Sequence, residues 1–93
     1  MRTDIEPHAE HAFNDWYNQI HLPEVLDCPG FVNAARYECV DGQPQFLAMY
    51  DLDRPDALRT PEMDRVYGFG HMAPHVRSEH GRIYCRRSAE VEA

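Results

Sequence analysis

Of the side chains in this 93-residue chain that could do chemistry, His21 stands in the most suggestive setting. It closes an aromatic run, Phe13-Asn-Asp-Trp16-Tyr17-Asn-Gln-Ile-His21, and is followed at once by Leu22-Pro23-Glu24. An imidazole with an ordinary pKa of about 6.5 both takes and gives a proton near neutrality, which makes His21 the candidate general acid or base. A helix C-terminus at this point would favour its charged form. The plainer role is structural, with His21 docking the helix end through a hydrogen bond to a carbonyl. Tyr37 is the candidate donor to a substrate carbonyl oxygen, set against an ordinary core tyrosine whose hydroxyl is satisfied at an edge. Tyr17 and Tyr50 are weighed in the same way. Trp16 reads as a core anchor on which an aromatic substrate could also stack.

His71 and His75 stand four apart, a spacing that places two imidazoles on one side of a helix as a metal site would need. Pro74 lies between them and disfavours a regular helix, so a pocket-rim role for these histidines is expected and no metal. His8 and His11 read as solvated, and His80 beside Gly81 as a turn residue. Glu24 could orient His21, although an exposed acid near a helix end is the simpler account. Arg36 could meet an anionic substrate, but between Glu38 and Asp51 an ordinary ion pair of small worth is expected. All nine basic residues are arginine, so Schiff-base chemistry through a lysine is excluded. Cys28, Cys39 and Cys85 are odd in number and lack CxxC spacing, and they read as reduced, small apolar residues.

These groups need elements to position them. Pro7 suits a first helical turn. Phe13, Trp16, Tyr17, Ile20 and Val25 or Leu26 then recur at helical spacing, which predicts an amphipathic helix over about residues 8 to 21 that Pro23 ends near His21. Cys28-Pro29-Gly30 is turn chemistry. Phe31 to Val40 follows as a strand with Phe31, Ala35, Tyr37 and Cys39 on one face and Val32, Ala34 and Val40 on the other. Asp41-Gly42-Gln43-Pro44 reads as a hairpin connection to an antiparallel strand over Gln45 to Leu52. Both strands are apolar on both faces, so the sheet needs cover on both.

Asp53 to Asp56 caps a short helical turn, and Thr60-Pro61 starts a second helix whose stripe is Met63, Val66, Tyr67 and Phe69. His71 to Gly81 is expected to be irregular. Gly81 to Arg87 is expected as the last strand, with Ile83 and Cys85 opposite Tyr84. The order is a short strand, helix, strand, strand, helix, strand. This predicts one ferredoxin-like βαββαβ domain over residues 1–93, of the α+β class with an antiparallel sheet. The first strand, Arg2 to Ile5 or Glu6, is short against the usual five or six residues, as it would be if the natural start lay upstream.

A domain of this size buries only roughly 60 to 65% of its extended surface, so self-association is a ready source of further stability. With 43% hydrophobic residues and 11% aromatics the chain can build a core, and no apolar run is long enough to cross a bilayer. Met1 to Pro7 carries no apolar signal-peptide core, and the expected compartment is the cytoplasm. Sixteen acids against nine bases give a net charge of -7, which argues against nucleic acid as a partner, since the only basic run is Arg82 to Arg87.

The motifs Phe13-x-x-Trp16-Tyr17-x-x-x-His21-Leu-Pro-Glu24, Pro29-Gly30-Phe31-x-x-Ala-x-Arg36-Tyr37 and Phe46-Leu-Ala-Met-Tyr50-Asp-Leu52 resemble the dimeric α+β barrel superfamily, closest to small EthD-like proteins. The resemblance covers about residues 10 to 87 and is most specific in the first half. After Thr60-Pro61 the chain departs from it, with Gly68 to His75 where relatives carry a tryptophan. It implies a homodimer in which two ferredoxin-like protomers pack the open faces of their sheets together, with a small-molecule pocket between helices and sheet of each. Similar proteins include muconolactone isomerases, polyketide cyclases, cofactor-free monooxygenases and haem-dependent enzymes.

Fold leaves the reaction open. The leading expectation is a cofactor-independent enzyme acting on a small cyclic or aromatic metabolite by proton transfer, of isomerase, cyclase or lyase type. His21 and Tyr37 would be catalytic, and Trp16, Tyr17, Tyr50, His71 and His75 would bind substrate. The alternatives are a cofactor-free or haem-dependent monooxygenase, and a non-catalytic module for small-ligand binding and dimerisation. Neither a membrane nor a nucleic acid is expected as a partner.

Overall fold

The computed structural model describes residues 1–85 and 87 and shows a small α+β fold: one four-stranded antiparallel sheet with helices against one face. The strands are β1 (Arg2–Ile5), β2 (Phe31–Glu38), β3 (Phe46–Leu52) and β4 (Val76–His80), in spatial order β2-β3-β1-β4. The helices are α1 (Glu10–Trp16), α2 (Leu22–Leu26) and α3 (Pro61–Val66). Short 3-10 turns at Pro7–Ala9, Pro55–Arg59 and Gly70–His75 join them. No helix among the described residues is long and apolar enough to cross a membrane.

The helical face of the sheet carries the core. Phe13, fully buried, has its ring within about 6 Å of those of Trp16, Tyr17, Phe46 and Phe69, and Ile5, Ala9, Ala48 and Met72 complete that cluster. A second cluster of Val25, Cys28, Phe31, Ala57 and Met63 lies beside it. Gly30 makes the turn between the two layers possible. Its φ of +91° is left-handed, and a Cβ there would stand 2.6 Å from Ala57 Cβ, so only glycine fits. Thr60 caps α3 as its sequence suggests, accepting a hydrogen bond from the Met63 N–H at 3.1 Å.

The first helix does not stop before Pro23. Between α1 and α2 the chain makes one wide π-turn, Tyr17–His21, in which the Leu22 N–H bonds the Tyr17 carbonyl five residues back. Pro23 therefore falls in the first turn of α2, where its missing N–H costs little. The extra residue also rotates the apolar stripe. Tyr17, His21 and Val25 turn inward, whereas Ile20 and Leu26, expected on that stripe, are exposed.

A second shift of phase occurs in β2. Phe31 pairs with Leu52 and Asn33 with Asp51, so Val32 is an extra residue in a bulge. After the bulge Ala34 and Arg36 face the helices with Phe31, and Tyr37 faces away, so the expected common face for Phe31 and Tyr37 is corrected. Tyr67, expected on the stripe of the second helix, is also exposed, because α3 ends at Val66.

Among the described residues the last strand is β4, Val76–His80, and the strand expected over Gly81 to Arg87 is not formed at Gly81–Cys85. β4 pairs with β1 through Arg2↔His80, Thr3↔Glu79, Asp4↔Ser78 and Ile5↔Val76. His80 is thus a strand residue. An edge strand of mostly exposed residues is held by backbone pairing, which needs no apolar alternation and leaves little mark in the sequence. Gly81–Cys85 runs on without regular structure, Ile83 and Tyr84 are exposed, and Arg86 lies outside the described residues.

Candidate functional site

The wide turn decides the character of His21. By carrying the side chain under α1 it buries the ring to 6% exposure, stacks it on Trp16 at 4.8 Å between centroids, and sets it edge-on to Tyr17 at the same distance. His21 makes no side-chain hydrogen bond among the described residues, and no fully buried side-chain nitrogen or oxygen there lacks a partner. Its polar edge is therefore open to the cleft that the ring lines. Burial pushes its pKa down to about 4, the reverse of the shift that a helix end would give. At neutral pH the imidazole is uncharged, able to accept a proton rather than supply one.

The cleft measures about 1060 Å³ and lies where the sheet is incomplete. β1 reaches β3 only at Phe46 and Leu47, with Met1 extending the contact to Ala48 through backbone hydrogen bonds. Beyond Ala48, β3 is paired on its β2 side alone among the described residues. The opening beside that free edge is lined on the helical side of the sheet by Tyr17, His21, Val25 and Met63 from the helices and by Phe31 and Tyr50 from the strands. Gly81–Cys85 borders it from the other side.

Tyr50 is brought into the cleft by β3, and its hydroxyl shares a 2.5 Å hydrogen bond with that of Tyr17. Burial raises the pKa of both phenols, and each Tyr keeps its proton at neutral pH. Two hydroxyls sharing one hydrogen bond leave one O–H free to donate, so the pair is a ready donor to a ligand oxygen. Arg36 stands behind them with its guanidinium carbon 4.4 Å from the Tyr17 ring centroid and somewhat farther from those of Phe13 and Phe46. It donates to Asn14 Oδ1 at 2.8 Å and Asn18 Oδ1 at 3.0 Å. The expected surface ion pair is thus replaced by cation–π contacts, which signalled themselves only as a strand arginine opposite two helical asparagines.

The structure brings together three of the candidate residues, His21, Tyr17 and Tyr50. Trp16 supports His21 from behind and does not line the cleft. Tyr37 is half exposed on the opposite face of the sheet, turned away by the bulge. His71 is exposed against the edge of Trp16, and His75 bonds Glu6, so neither lines the cleft. Glu24 is exposed and makes no side-chain bond to His21. Cys28 is buried with its Sγ 3.4 Å from the Glu24 carbonyl, whereas Cys39 and Cys85 are exposed, and all three are free thiols. Comparison of the chain with protein-family models, with curated proteins and with solved structures finds no match.

Proposed function

We propose that this protein is a small enzyme that moves a proton on a cyclic or aromatic metabolite, with His21 as general base and the Tyr17–Tyr50 hydroxyl pair as donor to the oxygen of the substrate. The observation that carries this reading is a buried imidazole, uncharged and without a side-chain partner among the described residues, that lines a cleft beside two protonated phenols. His21 removes a proton from carbon next to a carbonyl, the electron pair moves onto the carbonyl oxygen, and the free phenolic O–H stabilises that oxygen. The imidazolium then returns the proton at another carbon, and the net change is an isomerisation. No oxidant or reductant takes part. The enolate forms next to the new imidazolium, and their attraction offsets part of the cost of charging a buried ring.

Deuterium wash-in tests this reading. Small cyclic enones, lactones and phenols are incubated with the protein in D2O, exchange at carbon is followed by NMR, and binding is followed through the fluorescence of Trp16, the single tryptophan. Exchange is expected for at least one ligand that also quenches Trp16. Saturable quenching without exchange or turnover across the panel would make the cleft a binding site only, the reading that so weak a base as His21 favours in second place.

The strand order β2-β3-β1-β4 with helical crossovers supports a ferredoxin-like protomer, and the uncovered face of the sheet supports a homodimeric α+β barrel. That face exposes about half of Tyr37 and Met49, with Leu47 between them. A protomer this small gains most from covering such a surface. Sedimentation equilibrium is expected to give a dimer for the native chain and a folded monomer for Met49→Arg; a native monomer at micromolar concentration would remove the barrel.

A further inference from the structure

Antiparallel pairing of β1 with β4 joins two places 69 residues apart in the chain. The Glu6 N–H bonds the His75 carbonyl at 2.9 Å, and His75 Nδ1 lies 2.9 Å from Glu6 Oε1. Pro7 then starts a 3-10 turn that returns His8 over the same spot, its ring edge-on to that of His75 with 5.5 Å between centroids. One donor atom from each of Glu6, His8 and His75 falls within 4.8 Å of the others. The group borders a separate cleft of about 410 Å³ whose lining includes Glu6, His8 and Arg77.

The geometry points to a divalent transition-metal site of the zinc type formed by Glu6, His8 and His75. Two imidazoles and a carboxylate are the donor set that such borderline cations select, whereas magnesium and calcium prefer oxygen alone. Tetrahedral zinc with bonds of about 2.0–2.1 Å sets its donors about 3.3 Å apart. The Glu6–His75 pair is already that close, and a modest turn of the exposed His8 ring brings in the third donor. The ion takes the place of the hydrogen bond between Glu6 and His75, with the neutral imidazole ligating through Nδ1 and carrying its one proton on Nε2. Three protein donors leave a fourth position for water or an anion from the adjoining cleft, where Arg77 supplies positive charge. The ion would also clip the start of the chain to the start of β4, so binding adds to folding stability. His71, the partner that sequence spacing offers to His75, takes no part.

Calorimetric titration of the metal-stripped protein with Zn²⁺, alongside thermal unfolding, tests the site. One-to-one binding is expected with Kd on the order of 10 µM or tighter, and a melting temperature raised by about 10 °C at a hundredfold excess over Kd. His75→Ala and His8→Ala should each weaken binding by on the order of a hundredfold. His11→Gln, which removes the exposed His11–Asp15 pair, should leave it unchanged. Should His75→Ala fail to fold, His8→Ala still decides the matter, because that side chain is exposed and bears no load in the core. Absence of saturable binding, affinity unaltered in His8→Ala, or affinity lost in His11→Gln would each overturn the site.

Discussion

His21→Gln is expected to lower kcat/KM for any substrate of the cleft by about 10²–10⁴-fold, the usual contribution of a positioned acid–base group, while the fold and the melting temperature near neutral pH are retained. The pH profile is the sharper test. An ordinary histidine acting as base loses activity as pH falls through about 6.5. Burial has pushed His21 down to about 4, so activity should persist through weakly acidic conditions and fall only near that value. An acid limb near 6.5 would exclude His21 as the base.

The same shift has a signature in stability that needs no substrate. Between the unfolded pKa of about 6.5 and the folded pKa of about 4, the unfolded chain binds more protons at residue 21 than the folded chain does. Stability therefore rises with pH across that window and falls as the solution is acidified, by about 3 kcal/mol once residue 21 is charged in both states. At pH 7 the contribution is complete. Gln cannot titrate, so the native protein should lose more stability than His21→Gln on going from pH 7 to pH 4. Parallel curves would show that the ring charges without cost in the fold and is not buried as described.

Phe13→Ala is expected to destabilise the fold by about 3–5 kcal/mol, the range for removing a fully buried phenylalanine from a core that closes only partly over the gap. Against a total of about 5–15 kcal/mol this takes a fifth or more of the stability, and the melting temperature should fall by about 15–25 °C. The ring touches both layers, lying against Trp16 and Tyr17 on its own helix, Phe46 on β3 and Phe69 before the last 3-10 turn. It also forms part of the aromatic bed under Arg36. Phe13→Leu keeps most of the volume and should cost less than about 1.5 kcal/mol. Denaturant melts of the two variants measure the contrast; a cost below about 1 kcal/mol for Phe13→Ala would mean that the core does not depend on this ring.

Much of this architecture is legible in residue types. Phe13, Trp16 and Tyr17 at helical spacing, Pro29-Gly30 before an apolar run, and Thr60-Pro61 each act through local chemistry, and the structure places a helix, a turn with a left-handed glycine, and a capped helix there. Three features escaped because each depends on a single residue out of phase or on an exposed element. The wide turn at Tyr17–His21 replaces Ile20 with His21 on the inner face. The bulge at Val32 sends Tyr37 to the opposite side of the sheet from Phe31. β4 carries no apolar alternation to announce it. A periodicity averaged over a window assumes constant phase, and one inserted residue in a helix or strand defeats it.

The sequence by itself determined that this chain forms one small α+β unit, that it has no lysine for Schiff-base chemistry, and that His21 lies next to the aromatic run that builds the core. These follow from composition and from contacts within a few residues. Only the tertiary structure decided that His21 is buried and uncharged, that its neighbours in the cleft are Tyr17 and Tyr50 rather than Tyr37, and that His75 meets Glu6 and His8 rather than His71. Those outcomes depend on desolvation and on contacts across 33 and 69 residues of chain, one from helix to strand and one beside the β1–β4 pairing, which local spacing does not encode.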